Sequence, residues 1–103
     1  MTPYVKPGIK DIDEIIAEAF GTTKSAMTAK GKGNFIVSDA RKFAMWYRIT
    51  ELRETQFSSG SKYNRDHATA LHAKNTFNGL METDKVFRLK SEEALRKLEP
   101  LKF

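Results

Sequence analysis

Gly60-Ser61-Lys62-Tyr63-Asn64-Arg65-Asp66-His67-Ala68-Thr69-Ala70-Leu71-His72-Ala73 is the stretch that decides the fold. The residues before it, from Thr55 to Tyr63, read as a short helix of about two turns. Asn64 sits at a break and is a good N-cap, so a new helix is expected to open at Arg65. In that helix Ala70, Ala73, Phe77, Leu80 and Met81 fall on one apolar stripe. The same geometry turns Arg65, Ala68, Thr69, His72 and Thr76 outward and leaves Asp66 and His67 exposed in the first turn. A short helix, a tight turn and a second helix that begins polar is the layout of a helix-turn-helix. The start of such a second helix enters the DNA major groove, so its first side chains must bond base edges. Arg65, Asp66, His67 and Thr69 have that chemistry.

Upstream, Ile9, Ile12, Ile15, Ile16, Ala19 and Phe20 make the apolar face of a first helix, Ile9 to Phe20. Asp11, Asp13, Glu14 and Glu18 take its other face, and Gly21 is placed to end it. A short helix from Thr23 to about Ala29 follows. Lys30-Gly31-Lys32-Gly33-Asn34 reads as a basic loop, because two glycines in three residues do not hold regular structure. The next helix, capped by Ser38 or Asp39, runs from Ala40 to about Glu54. Phe43, Ala44, Met45, Trp46, Tyr47 and Ile49 make it apolar almost all round, as a central helix would be. Thr83 is expected to cap a last helix carrying Val86, Phe87, Ala94, Leu95 and Leu98, which Pro100 ends. No strand alternation occurs. The expected fold is all-α, five or six short helices around a central apolar helix, in one domain of 103 residues with its core at about 8–98.

The 18 basic and 13 acidic side chains are unevenly spread. Residues 21–75 hold ten Lys and Arg against four acids, and so carry the whole excess charge. A localised basic region is the footprint of a polyanion partner. The chain has no cysteine, which excludes disulfides and Cys-based zinc sites. No apolar run approaches the ~18–20 residues of a membrane span, and a cytoplasmic setting is expected. His67 and His72 are five apart, ~140° around a helix, so they diverge and no metal site is expected. No nucleophile–base pair or carboxylate pair stands out, so neither enzyme activity nor a cofactor is expected.

Three blocks of this sequence resemble one family. Arg65-Asp66-His67-Ala68-Thr69-Ala70-Leu71-His72-Ala73 resembles the recognition-helix signature of the C-terminal DNA-binding domain of the bacterial replication initiator DnaA. Ala40-Arg41-Lys42-Phe43-Ala44-Met45 resembles the opening of that domain's central helix, and Gly60-Ser61-Lys62-Tyr63 resembles its Gly-x-x-Phe. Asn64 stands where the family has two glycines. The resemblance spans about residues 8–98 and implies a TrpR/DnaA-C-like fold that binds double-stranded DNA.

It also implies roles for single residues. Asp66 and His67 fall where the family reads bases. Ala68 falls at a base-contacting Thr or Ser and lacks the hydroxyl. Thr69, Arg41 and Lys42 fall at phosphate contacts, and Lys62 is a further phosphate candidate. Lys30, Lys32 and Asn34 belong to the loop that the family sends into the minor groove. The family's inserted arginine aligns with Gly33, which has no side chain, and Thr76 replaces a basic residue. The nucleotide-binding loop, Gly-x-x-x-x-Gly-Lys-Ser/Thr, does not occur, so no ATPase activity is expected. The expected function is sequence-selective duplex binding in a bacterial or phage-encoded, nucleoid-associated protein. The alternative is an interaction adaptor that kept the fold and lost specific DNA binding.

Overall fold

The computed structural model describes residues 11–31 and 33–101, so Ile9 at the expected start of the first helix lies outside it, as does Lys32. Helix α1 spans Ile12–Phe20 and opens on a reciprocal cap: Asp11 accepts from the Glu14 amide, and Glu14 reaches back to the Asp11 amide. Gly21 ends it at φ 88°, its amide bonded to the Ala17 and Glu18 carbonyls. Helix α2, Lys24–Thr28, is capped by Thr23 and buries Met27.

Helix α3 is Phe35–Thr50, displaced toward the N-terminus from its expected bounds. Asn34, not Ser38 or Asp39, is the cap, its side chain accepting from the Val37 amide at 3.0 Å. The helix stops short of Glu54 because the Glu51 and Leu52 amides both fold onto the Tyr47 carbonyl and Arg53 turns left-handed at φ 60°. Helix α4 is Gln56–Ser61, capped by Thr55. Helix α5 is His67–Thr83 and begins two residues later than expected, with Asp66 as its cap in place of Asn64. Helix α6 is Lys85–Leu98, capped by Asp84 and not by Thr83, and a 3-10 turn at Glu99–Leu101 carries Pro100. The described residues are all-helical, without a strand.

Helix α3 is the hub, packed against α1, α2, α4 and α5, while α6 closes the bundle across α1 and α5. The Phe43 ring lies 5.6 Å from Phe20, 5.6 Å from Trp46 and 6.1 Å from Phe77 between centroids. Phe87 of α6 completes the cluster at 5.9 Å from Phe20 and 5.7 Å from Phe77. Trp46 stacks flat on Phe77 at 3.7 Å. These rings sit among the buried aliphatic side chains of the core, and apart from the Trp46–Phe77 stack their inclined packing suits aromatic quadrupoles.

A charged cluster lies inside this bundle. Arg48 is buried, donating to Tyr63 Oη at 2.7 Å, to Asp13 Oδ2 at 2.9 Å and to Glu54 Oε2 at 2.9 Å. Tyr63 in turn donates to Asp13 Oδ1. Burial opposes the Arg48 charge, but Tyr63, Asp13 and Glu54 more than offset that and raise its pKa above the ordinary value. Burial and the Asp13 carboxylate push the Tyr63 phenol up as well. The cluster joins α1, α3 and the end of α4, and so fixes the helix-turn-helix on the bundle.

Candidate nucleic-acid interface

The turn between α4 and α5 is built on one carbonyl. Gly60 accepts from the Tyr63 amide at 3.0 Å and from the Arg65 amide at 2.9 Å. Asn64 takes the left-handed conformation at φ 57°, which Asn tolerates better than most residues. Gly60 is required by contact: a Cβ there would lie 2.6 Å from the Asp66 carbonyl oxygen and 2.8 Å from that of Arg65. The chain leaves this turn extended and starts α5 at His67.

Asp66 caps α5 by accepting from the Thr69 amide at 2.8 Å, and this bond holds its carboxyl below the ordinary carboxylate range. The capping uses Oδ1. His67, Ala68 and Thr69 form the exposed first turn of α5. The His67 ring lies 4.3 Å from that of Phe57 on α4. Phe57 itself is 67 % exposed. The stack is not legible in the sequence, where Phe57 reads equally as a repacked core residue or a partner contact.

Arg65 does not reach outward. Its guanidinium donates to the carbonyls of Gly31 at 2.9 Å, Asn64 at 2.9 Å and Lys30 at 3.3 Å. Expected from its position to meet a base, in the free protein it braces the turn against the α2–α3 loop. Asn64 reinforces this, its side-chain amide donating to the Thr28 carbonyl.

Arg41, expected at a phosphate, is likewise engaged within the free protein. It is 3 % exposed and donates to the carbonyls of Met27 at 2.8 Å and of Ala26, Ala29 and Gly31 at 3.0 Å each. Burial, with the nearby Arg65 charge, lowers its pKa from the ordinary value. The seven-residue spacing from Arg48 reads as a shared basic face. In the structure both guanidiniums turn inward.

Two described residues of the loop expected in the minor groove, Asn34 and Gly33, are held in place. Asn34 spends its side-chain oxygen on the α3 cap. Gly33 has φ 69°, and a Cβ there would press on Val37 Cβ at 3.1 Å. Lys30 is exposed. Lys62 at the end of α4 is exposed too, and the half-buried Lys42 lies 3.9 Å from Asp39.

A groove runs between the start of α3 and the outer face of α5, lined by Phe35, Ser38, Lys42, Arg65, Thr69 and His72. His72 thus joins Thr69 and Lys42 there. Among the described residues no group of three His, Cys, Asp or Glu is placed to hold a metal ion, and no helix is long and apolar enough to cross a membrane.

The arrangement offers a projecting helix start with hydrogen-bonding side chains, flanked by lysines, on a braced turn. Its sequence has known counterparts. The chain is 34 % identical over 87 residues to the chromosomal replication initiator protein DnaA of Bacteroides thetaiotaomicron, covering 82 % of this chain and 18 % of that protein. It is 38 % identical over 84 residues to the DnaA of Bacteroides fragilis, covering 78 % of this chain and 17 % of the relative. With the DnaA of Nautilia profundicola it shares 32 % identity over 93 residues, 88 % of this chain and 21 % of the other. It therefore spans about a fifth of the length of the curated relatives it matches. No protein-family model and no solved structure matches it. The chain is a DnaA C-terminal-domain-like protein.

Proposed function

We propose that this chain binds double-stranded DNA through the helix-turn-helix α4–α5, with sequence selectivity and without ATP hydrolysis or other catalysis. The observation that carries the reading is the start of α5. Asp66, His67 and Thr69 project from a turn that Arg65, Asn64 and Gly60 hold rigid. A rigid mount suits base reading, because a hydrogen bond to a base edge tolerates little misplacement. The Asp66 carboxylate, whose backbone cap uses Oδ1, has the chemistry to accept from a cytosine amino group, and His67 donates to or accepts from a purine edge. Thr69, Lys30, Lys42 and Lys62 supply phosphate contacts around them. The name of the relatives, chromosomal replication initiator protein, supports a role on DNA in bacterial replication initiation, for which a cytoplasmic, nucleoid-associated setting is part of the proposal.

The adaptor reading has its own observations. Ala68 offers no hydrogen bond, and Gly33 can hardly accept an arginine at its φ. A salt titration separates the two. With ~3–4 phosphates engaged, log K for duplex DNA is expected to fall against log[salt] with a slope of roughly −3 to −4. No binding at low salt, or a slope near zero, supports the adaptor.

A further inference from the structure

Phe57 is hard to explain as a packing residue. It sits in the first turn of α4, directly after Gln56, and two thirds of its surface stays in water. Burial of the remaining third contributes little to the fold. What its ring does touch is informative: the His67 imidazole lies 4.3 Å away between centroids, inclined by 32°. His67 is the first residue of α5, with no preceding helical turn to restrict its side chain. An imidazole there would otherwise sample several rotamers. Its two ring nitrogens differ, one donating and one accepting in the neutral form, so its orientation decides which chemistry faces a base.

We infer that Phe57 is the positioning residue for His67, its ring holding the imidazole in the orientation that reads a base edge. The inference rests on the DNA-binding reading above. The recognition element is then a pair drawn from both helices of the helix-turn-helix. Phe57 sets the His67 rotamer before binding, so the ordering cost is met in the free protein and the selective contact gains what would otherwise be lost. Because Phe57 is exposed, its removal leaves the core intact.

Two measurements test this. In the free protein, the His67 ring protons are expected upfield of those of His72 by NMR, through the Phe57 ring current. Phe57→Ala is expected to abolish the difference and Phe57→Tyr to keep it. Affinities are then compared for the duplex that the wild type enriches from a random pool and for a random duplex of equal length. Phe57→Ala is expected to lower the ratio of the two by roughly 2- to 10-fold, the span of an aromatic pair, with random-duplex affinity and salt slope unchanged. Phe57→Tyr is expected to preserve the ratio, and in a His67→Ala background Phe57→Ala is expected to cost nothing more. An equal loss in that background would show that Phe57 acts on its own and overturn the inference, as would the absence of a ring-current shift. Should the shift be present while the wild type binds no duplex, the DNA reading would fail and base reading with it, leaving only the stack.

Discussion

At Arg41 the resemblance and the geometry pull apart, and the energetics favour the geometry. Four carbonyls converge on one guanidinium; those of Gly31 and Ala26 keep a second donor, from Arg65 and the Ala29 amide, while those of Met27 and Ala29 lose theirs if the side chain is cut back. Unsatisfied buried groups cost ~1–3 kcal/mol apiece before the loop relaxes, so Arg41→Ala is expected to lower stability by about 2–4 kcal/mol in chemical denaturation. Arg41→Lys keeps the charge but has neither the planar fork nor enough donors, and most of that loss is expected to remain. A lysine variant of wild-type stability would restore Arg41 to a phosphate-binding role. Gly33 gives a second test at this scale. An arginine there must accept a left-handed backbone and push on Val37, so Gly33→Arg is expected to cost about 1–2 kcal/mol. Any gain in duplex affinity for that variant would come with a less stable loop. Unchanged melting would contradict the φ-based argument.

Among the elements, caps decide the boundaries, and the same chemistry explains how much of them the sequence showed. Periodicity identified the helices because Ile16, Phe20, Phe43, Ala70, Ala73 and Phe77 all face one core. Periodicity does not choose among neighbouring caps. Asn34, Ser38 and Asp39 are all good capping residues, as are Asn64 and Asp66, and which one wins depends on the loop before it. Arg41 and Arg65 pin the α2–α3 loop through its carbonyls, a contact that no local pattern announces. The Asp66 cap makes a pH prediction. Its carboxyl is held below the ordinary range by the bond from Thr69, so its stabilising effect is complete above that range. It is lost as pH falls through the lowered native value. Asp66→Asn keeps an acceptor at the cap, so its melting temperature is expected near wild type at neutral pH, with a shallower decline in acid. Asp66→Ala is expected to melt lower at neutral pH. Equal acid profiles for wild type and Asp66→Asn would mean the cap does not carry this dependence.

For the molecule as a whole, the basic excess is smaller in practice than the count suggests. Of the ten basic residues in 21–75, Arg41, Arg48 and Arg65 bond to internal groups and Lys24 pairs with Asp11 at 2.6 Å. On the proposed DNA reading the remaining lysines and the exposed Arg53 would carry the electrostatic contact, which is why the expected salt slope is modest. The buried Arg48 cluster holds the α4–α5 turn in register with the bundle. Tyr63 stands where the resemblance has Phe, and its hydroxyl is the part that ties α4 to Asp13 and Arg48. Tyr63→Phe is expected to lower stability by about 1–3 kcal/mol, because both partners stay buried and lose a bond. A neutral effect would show that Arg48 and Asp13 satisfy each other alone. That cluster escaped the sequence reading because its members are far apart in the chain, Asp13 and Tyr63 fifty residues from each other.

The central claim is that the start of α5 reads DNA, and its most direct test is the affinity of His67→Ala for the enriched duplex and for a random one at a single salt concentration. The account predicts a loss of roughly 5- to 150-fold on the enriched duplex, the range of one good base contact, and little change on the random one. Equal losses on both duplexes, or none on either, would contradict it.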